Sequence, residues 1–205
     1  MAIAPEHLVV ITGLSGSGKS YVQSTLEDLG FYCTDNLPIE LIEPYLEEVT
    51  SHEKASRVGV VVDVRTHDFA TIFPNFYRER LQKLVPSTIL IFLEATDEVL
   101  ARRYSETRRP HPLAKDRPLL EAIQAERDAL TEVKSLANMV LDTSQFSVHE
   151  LKAEVMRKFQ IAGAEPSMLV RCCAFSISVR YASLTPNTSA IVSPDDPRHV
   201  CRRWG

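Results

Sequence analysis

Short apolar runs alternate with segments of helical periodicity along this chain. The first run, Leu8 to Ile11, is unbroken, which is typical of a parallel strand that is covered on both faces. Further strands are predicted at Phe31 to Thr34, Val58 to Val64, Thr88 to Leu93 and Met139 to Asp142. Strands that alternate with helices imply right-handed crossovers. We therefore predict an α/β fold, a doubly wound, mainly parallel sheet of about five strands with helices on both faces.

A helix is predicted after each strand. After the first strand, Val22, Leu26 and Leu29 recur at helical spacing, and Gly30 supplies a stop. The other predicted helices are Ile39 to Thr50, Asp68 to Leu84, Asp97 to Arg109, Pro118 to Ala137 and Val148 to Ala162. Ligands of such sheets bind at the carboxyl ends of the strands. The loops at those ends are therefore the candidate functional sites.

The loop after the first strand matches the phosphate-binding pattern G-x-x-x-x-G-K-[ST], the Walker A motif, in full. Its residues are Gly13, Leu14, Ser15, Gly16, Ser17, Gly18, Lys19 and Ser20. A strand, a glycine-rich turn and a helix N-terminus in this order form a nest of backbone N–H groups that suits a phosphate. Lys19 is expected to bridge the β- and γ-phosphates, and the Ser20 hydroxyl to bind Mg²⁺. The alternative, a plain surface turn, does not explain the strand and helix on either side, so we predict a P-loop NTPase fold.

Two carboxylates follow other predicted strands. Asp63 ends an apolar strand and is the predicted second residue that organises Mg²⁺, so Lys19 and Asp63 are the predicted catalytic pair. Asp63 could otherwise simply begin a turn. Asp35 is predicted to lie next to the phosphate loop, where it could hold a magnesium-bound water or accept a proton from a substrate hydroxyl. Equally, Asp35 or Asn36 could cap the following helix. Both possibilities stay open at this stage.

An arginine-rich segment ends the predicted helix that begins at Asp97. Its arginines, which are candidates for a lid that closes over transferred phosphate, are Arg102, Arg103, Arg108 and Arg109. The alternative is a helix end whose charges are paired with Glu98 and Glu106. His111 lies between two prolines, a pattern more typical of a loop residue than of a catalyst.

The composition of the chain excludes several classes of protein. The chain has 205 residues, of which 44% are hydrophobic and 24% charged, with a net charge of −4, as in an ordinary globular protein. An acidic balance gives no general footprint for nucleic acid. No run approaches the roughly 20 apolar residues of a membrane span, and no leader pattern is present, so a cytoplasmic location is predicted. The four cysteines lack zinc-ligand spacing.

These motifs together resemble the bacterial RapZ-like nucleotide-binding proteins. The resemblance covers roughly Leu8 to Ala162. It rests on Gly13 to Ser20, Leu26 to Cys33, Asp35 to Pro38, Val62 to Arg65, Arg103 with Tyr104, Glu106 to Arg109, and His111 to Leu113. It implies a P-loop domain that binds ATP and GTP with Mg²⁺ and hydrolyses them weakly. Gly13 to Ser20 match the family's ATP segment. The segment that the family assigns to GTP corresponds here to Asp63, Val64, Arg65 and Thr66. Some members are RNA-binding adaptors, so a small RNA or a protein is an implied partner.

The resemblance divides the chain into two units. Residues 1–164 are the predicted P-loop nucleotide-binding domain, and residues 165–205 are a short atypical tail. From Met168 onward the sequence has no lysine or glutamate, five arginines and three of the four cysteines. Because family members continue with a second domain, we expect a truncated or frame-shifted remnant of it. A short hairpin followed by a disordered end is the alternative.

The predicted function is that of a nucleotide-binding regulatory protein with weak ATPase or GTPase activity. A small-molecule kinase that transfers the ATP γ-phosphate to a hydroxyl is the main alternative. A binding module, in which nucleotide sets the conformation and RNA or protein is the output, is another.

Overall fold

The computed structural model describes residues 4–64, 68–107, 111–114 and 117–159. They form a five-stranded, wholly parallel sheet in the order β2-β3-β1-β4-β5. The strands are β1 His7–Gly13, β2 Tyr32–Thr34, β3 Arg57–Val61, β4 Ile89–Glu94 and β5 Met139–Asp142. The predicted α/β, P-loop NTPase-like fold class is confirmed.

The central strand β1 separates two apolar cores. Leu8 and Val10 face one core, and Val9 and Ile11 face the other, as the two-residue period of a strand requires. All four side chains are essentially inaccessible. The unbroken apolar run of β1 is therefore explained by helices that cover the sheet on both faces.

The helices follow the strands along the chain. Their bounds are α1 Lys19–Asp28, α2 Ile39–Ser51, α3 Phe69–Phe76, α4 Gln82–Leu84, α5 Asp97–Thr107, α6 Leu119–Ala129, α7 Thr131–Leu136 and α8 Val148–Phe159. Within the described part of the chain, none of them is long and apolar enough to cross a membrane.

Two predicted helices are interrupted. The segment predicted as one helix from Asp68 to Leu84 contains a π-helical turn, Tyr77–Leu81, between α3 and α4. Pro74, which has no N–H to donate, lies just before that turn. The segment predicted from Pro118 to Ala137 divides at Leu130, whose backbone leaves the helical region. Its N–H still donates to the carbonyl of Glu126, so the division costs no hydrogen bond there.

The strand predicted from Val58 to Val64 is shorter in the structure, where β3 ends at Val61. The N–H of Val62 still donates to the carbonyl of Ile11 on β1 at 3.0 Å. The next residue, Asp63, therefore leaves the sheet directly beside the end of β1. The predicted tail, residues 165–205, lies outside the described residues.

Candidate functional site

The loop between β1 and α1 has the backbone that its glycines predict. Gly13 has φ of 134° and Gly18 has φ of 104°, a region that side chains disfavour. A Cβ at Gly13 would also meet the backbone of Leu93 on β4. The adjacent N–H of Leu14 donates to the carbonyl of Leu93 at 3.0 Å. The loop therefore begins tightly against the sheet and ends at the N-terminus of α1.

Lys19 and Asp63 meet beneath this loop. The ammonium of Lys19 donates to the carbonyls of Gly13 and Leu14 at 2.9 and 3.0 Å. Its Nζ lies 3.3 Å from Oδ2 of Asp63, and the two side chains are only 8% and 2% exposed. The pair forms because β3, which precedes Asp63, lies next to β1. The structure thus brings together the two predicted catalytic residues.

Ser20, the other predicted magnesium ligand, lies in the first turn of α1 and is exposed. Oxygen donors of this kind, a hydroxyl and the Asp63 carboxylate, suit Mg²⁺. No group of three or more His, Cys, Asp or Glu side chains that could hold a metal occurs among the described residues. Ser20 and Asp63 are thus the described residues that would hold Mg²⁺.

The prediction for Asp35 assumed that β2 lies next to β1, and this adjacency is wrong. Strand β3 lies between β2, which precedes Asp35, and β1, which precedes the loop. Asp35 is exposed, and α2 begins after Pro38 with no side-chain hydrogen bond to its first turn. Neither Asp35 nor Asn36 therefore caps α2, and Asp35 remains one strand further from the loop than Asp63.

Among the predicted lid arginines, Arg103 on α5 contacts the loop. Its Nη1 donates to the carbonyl of Gly16 at 3.0 Å and to Oγ1 of Thr143 at 3.1 Å, and its Nη2 donates to the carbonyl of Thr143 at 2.9 Å. Burial lowers the pKa of Arg103 from its usual value, and the nearby Arg102 adds to this effect. Arg102 is exposed. Arg108 and Arg109 lie outside the described residues.

A buried carboxylate holds the same part of the loop from α6. Both oxygens of Glu126 accept the N–H of Ser15 at 3.1 Å, and Oε1 also accepts the Ser15 hydroxyl at 2.7 Å. Nε2 of His111 lies 3.1 Å from Oε2 of Glu126. Glu126 is fully inaccessible, and His111 is 3% exposed.

Ser15, Gly16 and Ser17 are together called the loop bend below. The third contact to it comes from Thr143, which follows β5 and whose hydroxyl donates to the carbonyl of Ser17 at 2.8 Å. Each residue of the loop bend is thus bonded to a side chain from the C-terminal half of the described residues. Three side chains, those of Glu126, Arg103 and Thr143, therefore hold the bend.

Comparison with known proteins gives the family. The model of the RapZ-like N-terminal domain matches residues 6–163. The chain belongs to this family. A nucleotide-binding protein of Acidobacterium capsulatum is 45% identical over 172 residues, and one of Koribacter versatilis is 42% identical over 175 residues. Each alignment covers 84% of this chain but only 55% or 56% of the relative, so the chain spans about half the length of these curated relatives.

Solved structures show the same fold in this RapZ-like domain. An unliganded sugar kinase from Janibacter sp. HTCC2649 is 20% identical, with a TM-score of 0.50 over 77% of this chain and 96% of the kinase. A shikimate kinase from Acinetobacter baumannii, in complex with shikimate, is 19% identical, with a TM-score of 0.50 over 77% of this chain and 93% of the kinase. At this identity the likeness concerns the fold alone.

The sequence-based search for site residues missed Glu126, Thr143 and the role of His111. A signal for Glu126 is present, since Ala122, Ile123 and Glu126 share the buried face of α6. A carboxylate on an apolar helical stripe is rarely buried without hydrogen-bond partners. Of the predicted GTP segment, Val64 is half-buried against the core, whereas Arg65 and Thr66 lie outside the described residues.

Proposed function

We propose that this RapZ-like domain binds a nucleoside triphosphate and Mg²⁺ at the loop Gly13 to Ser20 and hydrolyses the nucleotide slowly. One observation carries the proposal, the convergence of Lys19 and Asp63 at 3.3 Å beneath a loop that opens onto the N-terminus of α1. Backbone N–H groups and the helix dipole favour phosphate there. The names of the relatives from Acidobacterium and Koribacter, nucleotide-binding proteins, support the same ligand class.

Each residue has a part in this proposal. The amides of the loop hold phosphate oxygens, and Lys19 turns from the Gly13 and Leu14 carbonyls toward the β- and γ-phosphates. Ser20 and Asp63 hold Mg²⁺, which supplies positive charge for the phosphate oxygens when bound. By the family resemblance, ATP is the proposed ligand of this loop, and GTP the proposed ligand of the segment from Asp63 to Thr66.

Slow hydrolysis is consistent with the contacts of Arg103. Its guanidinium already makes three hydrogen bonds to Gly16 and Thr143, so it supports the loop bend and is not directed at a γ-phosphate. We propose that Arg102, Arg108 and Arg109 supply the lid. Charge stabilisation during phosphoryl transfer depends on such arginines, and Arg103, which the loop bend engages, does not supply it.

A kinase is the second candidate, and the exposed Asp35 favours it. This carboxylate lies at the carboxyl end of β2 and does not cap α2, so it is available to accept a proton from a substrate hydroxyl. A kinase would release ADP faster when its hydroxyl substrate is added, whereas a slow hydrolase would not. A screen of sugars and other small hydroxyl compounds therefore separates the two functions.

The proposed partner is the molecule that responds to nucleotide binding by this domain. By the family resemblance, a small RNA or a protein is the proposed partner, and the cytoplasm the proposed location. The net charge of −4 argues against tight RNA binding by this chain itself. Gel shifts with small RNAs at matched salt test this, and tight binding by this chain would contradict it.

Calorimetry with ATP and GTP, with and without Mg²⁺, tests the main proposal. Ser20→Ala should remove most of the magnesium dependence, whereas Ser24→Ala, an exposed serine one turn further along α1, should not. Asp63→Asn should lower hydrolysis and magnesium dependence more than Asp35→Asn does. The proposed Mg²⁺ roles are wrong if Ser20→Ala and Asp63→Asn bind and hydrolyse like the parent. If Asp35→Asn is inactive while Asp63→Asn is fully active, the role assigned here to Asp63 belongs to Asp35.

A further inference from the structure

A phosphate-binding loop is expected to leave its backbone amides free for the ligand. Here the carboxylate of Glu126 accepts one of them. It takes up the N–H and hydroxyl of Ser15 and is itself fully inaccessible. A buried charge is stable only when hydrogen bonds compensate it, and those from N–H and O–H donors are the strong, charge-assisted kind. The Ser15 amide is thereby occupied by the protein before any nucleotide arrives.

The hydrogen bonds around His111 fix its tautomer. The N–H of Leu113 donates to Nδ1 of His111 at 3.1 Å, so Nδ1 carries no proton and Nε2 does. Nε2–H therefore donates to Oε2 of Glu126. Both oxygens of Glu126 therefore accept hydrogen bonds, from the N–H and hydroxyl of Ser15 and from Nε2–H of His111.

We infer that Glu126, oriented by His111, is a positioning residue that fixes the loop bend and keeps the Ser15 amide out of the phosphate-binding set. The N–H of Ser17 donates to the carbonyl of Leu14 at 3.1 Å, so the N–H groups of Gly16, Gly18, Lys19 and Ser20 then remain for phosphate oxygens. The effect of Glu126 on nucleotide affinity rests on the proposed triphosphate site. Its effect on the conformation of the loop bend does not. The His111 ring also lies 5.0 Å from the ring of Tyr104 on α5, which connects the cluster to the helix that carries Arg103.

Glu126→Gln tests this inference because it replaces one acceptor oxygen of the carboxylate by an NH₂ donor. The introduced side-chain oxygen can still accept from Ser15, but the new NH₂ group faces the donor Nε2–H of His111. Adding His111→Gln to the same protein should relieve the conflict, since the amide oxygen introduced there can turn toward that NH₂ group and accept from it. Rescue of this kind distinguishes a hydrogen-bonded positioning role from general packing. Glu121→Gln, at an exposed site in the first turn of α6, is the matched control.

The first readout is the amide spectrum of the nucleotide-free protein by NMR. In the parent, the Ser15 proton should resonate downfield because it donates to a carboxylate, and it should move upfield in Glu126→Gln together with shifts at Gly16 and Ser17. The double variant should restore the shifts at Gly16 and Ser17, and Glu121→Gln should change none of them. A loop-bend spectrum that Glu126→Gln leaves unchanged would overturn the inference, whether or not the chain binds nucleotide.

The second readout is triphosphate affinity. Loss of a charge-assisted hydrogen bond at the loop predicts about a tenfold weakening in Glu126→Gln and recovery to within about threefold in the double variant. On adding ATP to the parent, the amides of Gly16, Gly18 and Lys19 should shift more than that of Ser15. An equal or larger shift at Ser15, or no rescue in the double variant, would contradict the inference.

Two further outcomes are decisive. If Glu126→Gln does not fold, Ser15→Ala removes one donor to the carboxylate and should shift Gly16 and Ser17 in the same way; unchanged shifts there would overturn the inference. If the parent binds no triphosphate, the proposed function fails, and the loop-bend shifts alone decide the positioning role.

Discussion

Replacing Lys19 by methionine should affect both nucleotide binding and folding. Methionine keeps an unbranched apolar stem of similar length but removes the ammonium that meets Asp63 and the carbonyls of Gly13 and Leu14. At the proposed site the lost contact to phosphate is charge-assisted and contributes about 1.5 to 3 kcal/mol. We expect the affinity for a triphosphate to fall by roughly tenfold to a hundredfold.

The folding consequence follows from the burial of the pair. At 3.3 Å and an effective dielectric constant of about 20, the gross attraction is roughly 5 kcal/mol before desolvation is subtracted. Removing one member leaves the other charge buried, which typically costs about 3 to 5 kcal/mol. Lys19→Met and Asp63→Asn should therefore each lower the free energy of unfolding by about 3 kcal/mol or more. The double variant leaves neither charge buried, so its loss should be smaller than the sum by about 2 kcal/mol.

Urea unfolding of the parent, the two single variants and the double variant measures this coupling. Lys83→Met is the control, because Lys83 pairs with Glu79 on the surface and both side chains are more than two-thirds exposed. It should change the free energy of unfolding by less than about 0.5 kcal/mol. Additive single losses would refute the buried pair, and unchanged ATP and GTP affinity in folded Lys19→Met would refute the phosphate site.

Three more outcomes are expected. Arg103→Lys cannot keep the forked contacts to Gly16 and Thr143, so unfolding free energy should fall by about 1 to 2 kcal/mol, and unchanged urea unfolding would contradict this. Burial, with a smaller contribution from Glu27, raises the pKa of Cys33 to about 12. Iodoacetamide at pH 8 should therefore alkylate Cys33 far more slowly in native than in unfolded protein. Mass spectrometry measures the two rates, and equal rates would contradict this. Deleting residues 165–205 should leave nucleotide affinity intact, and lost binding would make the tail a functional element.

Local sequence was enough for the features that local chemistry determines. The apolar run of β1 predicted a strand covered on both faces, because only such a strand has no polar face to display. The glycines and Lys19 predicted the loop because their backbone angles and charge are required within eight consecutive residues. Asp63 was identified by the same logic, as the polar residue that ends a buried strand.

Features that depend on the order of strands could not be predicted in this way. The local patterns of β2 and β3 do not state which of the two strands lies beside β1, and the adjacency assumed between β2 and β1 was wrong. The bond between Ser15 and Glu126 joins residues 111 positions apart, and no local period reveals such a pair. The helix interruption at Leu130 also left no signal, since its hydrogen bonds continue across it.

The loop bend shows how far the phosphate motif depends on the rest of the domain. Ser15, Gly16 and Ser17 are held by side chains from α6, α5 and the end of β5, respectively. The chain between α5 and α6 carries two of the proposed lid arginines, and both of those helices are bonded to the bend. A movement of either helix toward a bound phosphate must therefore break these bonds or carry the bend with it. The proposed lid and the loop bend would then move together, so variants at Glu126 should alter hydrolysis even where they leave Lys19 and Asp63 in contact.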